Sequence, residues 1–337
     1  MKVIYLLDTL LTTEDGADYI VTEDDYYIEL GGFTGEIEVS TYNLFDLTYR
    51  LARELGIVEE STATADGTSS LVTDTHRDED DDYWNNGTLW LVRDDGGLSA
   101  DPEGSYSIID DYTQSTGAIT LRDALSGSSG TGDKYAIASK RYPLNILVQM
   151  INNALTDMGT VPTTDITSLT TINDQTEYTL PLAAKEDLRQ VWLQVDTTDA
   201  NDNRWMMLYN WRIQQAATGT QATLVFPYQP VSPDYDFKLV YMSPHPELSE
   251  YDDQLSEFIP IERVIYPAAA YAMKWYKRKL RGRDAELDAD IERYEQKAEL
   301  AKMRNPIPVP TRTGKIMLTT ANMAVSELDD VNVVHLG

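Results

Sequence analysis

The chain has 337 residues, 42% of them hydrophobic, with 56 acidic residues against 27 basic ones and a formal net charge of −29. That length and apolar content exclude a disordered polymer and leave room for two or three domains. The acid surplus argues against general attraction to nucleic acid or an anionic membrane, and the lack of cysteine excludes disulfides, thiolate metal sites and cysteine nucleophiles.

The opening stretch, MKVIYLLDTLL, is interrupted by Asp8 and has no small-residue cleavage site, so it does not read as a signal peptide. No stretch approaches the roughly 20 apolar residues of a membrane span, so no membrane partner is expected. Residues 1–40 hold short apolar runs (VIYLL, YYIEL, GEIEV), which predict either short strands or an N-terminal arm. TYNLFDLTYRLARELG then places Leu44, Leu47, Leu51 and Leu55 on one helical face, with Thr41 as a candidate cap and Gly56 as a stop. Over 58–140, alternating segments such as GTLWLV, SYSIID, GAITL and KYAIAS lie between Gly, Asp and Ser clusters, which predicts an inserted small antiparallel β-domain. PLNILVQMINNALTDMG follows with helical spacing from Leu144 to Met158, and Pro143 suits the first turn.

Strand signals return over 169–255 in QTEYTL, VWLQV, RWMMLYNW, ATLVF and DFKLVYM, separated by turn-rich spacers such as TTDANDN. They predict a second, sandwich-like β-insert. Beyond 256 the pattern is helical. Pro267 is expected to start or kink a helix, and one running from about 267 to 302 would span roughly 54 Å, with Gly282 as its weak point. The prolines of PIPVP stop it, and 304–337 reads as an extended C-terminal arm in need of a partner. The expected fold class is therefore α+β. A helical body (41–57, 141–168 and 256–303) with a long C-terminal helix would carry two inserted antiparallel β regions.

Motifs for chemistry are sparse. His76, His245 and His335 lie far apart without ligand-like neighbours. GSSGTGDK at 127–134 approaches a phosphate loop, but Asp133 displaces the lysine and a strand follows where a helix is needed. Asp78, Asp80 and Asp82 alternate as in a calcium loop, as do Asp199, Asn201 and Asn203, yet Tyr83 and Arg204 occupy the glycine positions. There is no G-x-S-x-G, and among 56 acids any glycosidase-like carboxylate pair lacks specificity. The 21 tyrosines and 6 tryptophans include residue types enriched at interfaces, although most are expected to pack sheet faces. No catalytic, cofactor-binding or metal-binding residue is predicted, no cofactor is implied, and the chain does not read as an enzyme.

The order of segments is more informative. The run YWNNGTLWLV, IIDDYTQSTGAITLRDAL and GTGDKYAIA, then RYPLNILVQMINNALTDMG, then FIPIERVIYPAAAYAMKWYKRKLRGRDAELDADIERYEQKAELA resembles the adaptor, or head–tail connector, proteins of tailed bacteriophages over residues 41–303. The resemblance implies a non-enzymatic virion structural protein made in the host cytoplasm and placed at the neck. It implies a homo-oligomeric ring, a dodecamer in that family, that joins the portal protein to tail proteins and continues the channel through which DNA passes without specific binding. A tail-terminator or baseplate component is the neighbouring alternative. A carbohydrate-binding or carbohydrate-acting protein is the alternative of another class.

Six of the ten residues in KWYKRKLRGR, at 274–283, are basic. At 100° per residue Lys274, Lys277, Arg278 and Arg281 share one helical face, opposite an apolar stripe that includes Val264, Ile265, Ala268, Ala269 and Ala272. Lys279 falls near the apolar side and must snorkel or find an acid. The four-residue stripe is taken as an assembly contact, with a solvated face and a direct DNA contact as the competing readings.

Overall fold

The computed structural model describes residues 42–95, 102–184, 187–194, 205–216, 222–228, 235–280 and 284–319, together with three short strands near the start. Those strands, β1 (Leu11–Thr12), β2 (Asp18–Val21) and β3 (Tyr27–Glu29), form an antiparallel meander within a separate unit, Met1–Ser40. Everything from Thr41 onward forms the second unit.

The second unit corrects the expected fold class. Antiparallel sheet dominates it, in three sheets of seven, four and four strands, and the described helices are short. The long C-terminal helix is two helices, α3 (Glu262–Lys279) and α4 (Ala285–Arg304). Two local preferences make the break. Gly282 weakens a helix by about 1 kcal/mol, and Asp284 starts a new one by accepting from the backbone N–H groups of Glu286 and Leu287 at 3.1 Å each. Glu286 and Asp288 then lie in the first turn, where negative charge suits the helix dipole. Pro267 neither starts nor ends α3; it lies inside it. Its missing N–H removes one backbone bond, and burial of Val264, Ile265, Ala268 and Ala269 around it offsets that loss.

Helix α1 (Leu44–Glu54) is capped by Asn43, not Thr41. The Asn43 side chain accepts from the Asp46 N–H at 2.9 Å, and the Asp46 carboxylate takes the Asn43 N–H in return. Helix α2 spans Leu144–Asp157 after Pro143. All four helices meet in one hydrophobic cluster with Leu44, Leu47, Leu51, Ile151, Val264 and Ile291 among its members. Each large aliphatic side chain buried there contributes about 1.5–3 kcal/mol.

The seven-stranded sheet holds β4 (Val58–Thr62), β5 (Ala65–Thr68), β6 (Leu71–Thr73), β7 (Thr88–Arg93), β8 (Tyr106–Thr113), β9 (Ala118–Leu121) and β10 (Lys134–Ala138), in the order β4-β10-β7-β8-β9-β6-β5. Its two ends are one run of chain. Ala63 bonds to Asp133 on one side, and Thr64 to Thr73 on the other, so the sheet closes around a core. Strand alternation then divides the side chains. Leu89, Leu91, Tyr135 and Ile137 enter the closed sheet, while Trp90, Ala136 and Ala138, one residue out of phase, join the helical cluster.

The remaining strands make a sandwich. One sheet has the order β11-β17-β13-β14, with β11 at Thr160–Asp165, β13 at Leu188–Gln194, β14 at Trp205–Leu208 and β17 at Phe237–Pro244. The other has the order β12-β16-β15-β18, with β12 at Glu177–Thr179, β15 at Arg212–Ala216, β16 at Ala222–Val225 and β18 at Lys315–Thr319. Phe237, Leu239 and Tyr241 from the first face Tyr178, Ile213 and Leu224 from the second in one core. A register shift between Leu188 and Gln190 moves the buried positions of β13 from Leu188 to Val191 and Leu193. The C-terminal arm, expected to wait for a partner, is seated on this sandwich as far as residue 319: β18 pairs in parallel with β15 from Arg212↔Lys315 to Ala216↔Thr319.

Candidate functional site

The basic stripe lies on α3, which turns back on itself through α4. Lys274 Nζ meets Glu295 Oε1 at 2.5 Å, and Lys277 Nζ pairs with Asp288 Oδ1. Glu295 and Asp288 are seven residues apart on α4 and present one face to α3, so part of the stripe is neutralised within the helical hairpin. Lys279 lies over the Trp275 ring at 4.5 Å from its centre. Arg278 is exposed and makes no ion pair among the described residues. Arg281 lies outside the described residues. The structure therefore brings Lys274 and Lys277 together with acids of the same chain and leaves Arg278 facing outward.

Further polar ties surround the hairpin. The Tyr271 hydroxyl donates to Asp157 Oδ2 at 2.5 Å, and that carboxylate together with burial pushes the phenol up to about 12. On the other side of α4, Lys297 Nζ meets Glu54 Oε1 at 2.7 Å, and the Tyr294 hydroxyl donates to the same oxygen and to the Glu54 carbonyl. Burial alone would raise the Glu54 carboxyl, but Lys297 and Tyr294 hold it below its ordinary value. A shallow cleft of about 380 Å³ opens nearby, lined by Glu262, Tyr266, Lys297 and Arg304 among others. Its mixed charge selects no single ionic ligand. Sequence reasoning missed Glu54, Asp288 and Glu295; for the last two the signal was the i, i+7 spacing of acids after the stretch RGRD.

A second polar cluster crosses the closed sheet. The fully buried Asp74 carboxylate accepts from Ser61 Oγ at 2.6 Å, the Tyr135 hydroxyl at 2.7 Å and the His76 N–H at 3.0 Å. Burial pushes its carboxyl up, yet these donors and the Arg77 charge bring it below the ordinary value. Arg77 in turn donates to Tyr135, Glu79 and Glu59 and lies over Trp84. The single Arg77 charge is shared among Asp74, Glu79 and Glu59, and hydrogen bonds from Ser61, Tyr135 and His76 satisfy the buried Asp74 carboxylate.

The other sequence motifs take local roles. Asp133 of GSSGTGDK is fully buried and accepts from the Gly130 N–H at 2.6 Å, while Thr131 N–H bonds to Asp66 at 2.9 Å. The loop thus turns its donors onto its own Asp133 and onto Asp66 of β5, and burial together with the neighbouring Asp94 raises the Asp133 carboxyl. Of the acidic loop, Asp81 accepts from the Gln114 N–H and Asp82 from the Asn85 side chain. The described residues contain no group of three or more His, Cys, Asp or Glu that could hold a metal ion. Asp199, Asn201, Asn203 and His335 lie outside them. His76 has an exposed ring, and His245 Nε2 accepts from the Ser256 N–H at 3.1 Å. Among the described residues no helix is long and apolar enough to cross a membrane.

No protein-family model matches the chain, and no curated protein matches it in sequence.

Proposed function

We propose that the chain is a non-enzymatic subunit of a virion neck, a ring-forming adaptor between portal and tail through whose channel DNA passes without being gripped. The reading rests on the order of segments over 41–303, and one structural observation carries it further: where the positive charge goes. In α3 and α4, Lys274, Lys277, Lys297 and Lys302 are each held against an acid of the same chain, and Lys279 lies over Trp275. These lysines are engaged within the chain, Arg278 stays exposed, and the chain keeps a net charge of −29. A wall of such subunits repels the DNA backbone and leaves it free to move.

Electron microscopy of the purified protein tests the reading. Closed rings with a central opening are expected, together with no retention of duplex DNA at physiological salt. A chain that stays monomeric at high concentration and is retarded on immobilised glycans would replace the adaptor with the carbohydrate-binding alternative.

A further inference from the structure

We propose that the sandwich carries an acceptor for a C-terminal strand and that, in the assembled ring, each copy fills this acceptor with residues 313–319 of its neighbour. The inference deepens the ring reading and rests on it for the presence of a neighbour.

The acceptor is incomplete without a strand. Trp211 is fully buried, and its indole N–H donates to Thr313 Oγ1 at 3.1 Å. Gly314 lies so close to the indole that a Cβ there would fall 2.2 Å from the ring. Thr313 N–H bonds to the Arg189 carbonyl at 2.9 Å, and Arg312 donates to the Asp187 carboxylate and the Leu188 carbonyl. Beyond them β18 covers the open edge of β15 in a parallel ladder, unlike the other described strand pairs, which are antiparallel. Remove the segment and the sandwich exposes an unpaired edge, an unpaired indole N–H and one face of a tryptophan. Such an edge is a template for a donated strand.

The tether to that strand is built for rerouting. Ile307 still packs against the helical cluster. From Pro308 to Arg312 no backbone N–H donates to another backbone group among the described residues, and the backbone there receives only a side-chain bond, from Gln190 to the Thr311 carbonyl. Pro308 and Pro310 hold the run extended and disfavour a reversal. An exchanged strand 313–319 keeps the Thr313, Gly314 and ladder contacts, and what changes is the path of this short tether with its Thr311 and Arg312 bonds. Donor and acceptor are different surfaces, which makes the contact head-to-tail. Head-to-tail contacts whose rotation closes form rings, and ring closure raises the effective concentration of each neighbouring acceptor.

The absence of cysteine makes the test direct. Gln214 and Met317 are register partners in the β15–β18 ladder, so Gln214→Cys and Met317→Cys are made in separate copies, mixed unfolded, refolded into the assembled state and oxidised. Exchange predicts that, in an equal mixture, about half of the chain forms a disulfide between position 214 of one copy and position 317 of another, since about half of the 214 acceptors meet a 317 donor. It would appear as a covalent dimer on a denaturing gel and be absent from either variant alone. The double variant Q214C/M317C should run as a ladder of covalent multimers. If the double variant closes only within single chains while rings are present, the exchange fails and the ring reading stands. Covalent dimers without rings would keep the exchange and overturn the ring reading. If neither arrangement cross-links although the reduced proteins fold and assemble normally, the ladder itself is wrong and the proposal falls.

Discussion

Trp90 joins two layers with one side chain. It lies on β7 between Leu89 and Leu91, which fill the closed sheet, and points the other way into the helical cluster. There its indole N–H donates to Thr48 Oγ1 at 3.1 Å, and the Thr48 hydroxyl donates in turn to the Phe45 carbonyl, so the buried indole and the buried hydroxyl are both satisfied. The alternation that sends Trp90 outward is legible in GTLWLV; the partner on α1, 42 residues away, is not. His245 makes a testable case at the same scale. Burial lowers its pKa, against a smaller opposing effect of its contact with the Pro246 carbonyl. The unfolded chain therefore takes up a proton near the ordinary histidine value, about 6.5, where the folded chain does not. Stability is complete above that value and is lost as pH falls below it. The urea midpoint should drop between pH 7.5 and 5.5 in the parent, and by a visibly smaller amount in His245→Gln; equal drops would remove His245 as the cause.

At the scale of elements, the helical hairpin shows what local signals do and do not specify. The apolar stripes of α1, α2 and α3 follow directly from residue spacing. The break after Lys279 was visible as Gly282 alone, whereas the stronger signal was Asp284 followed by Ala285 and Glu286, an N-cap with acids behind it. That cap turns one long rod into two antiparallel helices, and the turn is what sets the basic stripe against Asp288 and Glu295. The relative weights are testable by chemical denaturation. Asp284→Ala should cost about 1 kcal/mol, the usual value of a lost cap. Lys277→Gln should cost under about 1 kcal/mol, because both partners of its ion pair are partly exposed and screened. A larger loss from Lys277→Gln than from Asp284→Ala would mean that the ion pair, not the cap, holds the hairpin.

At the scale of the molecule, the described residues of the second unit build three hydrophobic cores: one among the helices, one inside the closed sheet and one in the sandwich. The C-terminal arm reaches across this organisation, and Arg312 bonds to Asp187, 125 residues earlier. Ending the chain after Ile307, which still packs on the helical cluster, should therefore loosen the sandwich and spare the other two cores. Hydrogen exchange is expected to show lost protection along β15 with β7 and β10 unchanged, and a stability loss of about 2 kcal/mol from the uncovered tryptophan and its lost hydrogen bond. Unchanged protection of β15 would mean that the arm is not part of the sandwich.

By itself the sequence determined whatever depends on neighbours within a turn or a strand: helical faces, alternating strands, the proline stop after Asn305 and the overall acid surplus. Helix caps belong in principle to the same class, since Asn43 with Asp46 and Asp284 with Glu286 are local patterns. Only the tertiary structure decided how strands from 58 to 138 close into one sheet, which acids meet Lys274 and Lys277, and that residues 313–319 complete a surface built around Trp211. These are contacts between residues distant along the chain. Their selection depends on how much apolar surface the whole arrangement buries and on whether each buried donor finds an acceptor, and no local window of sequence contains either quantity.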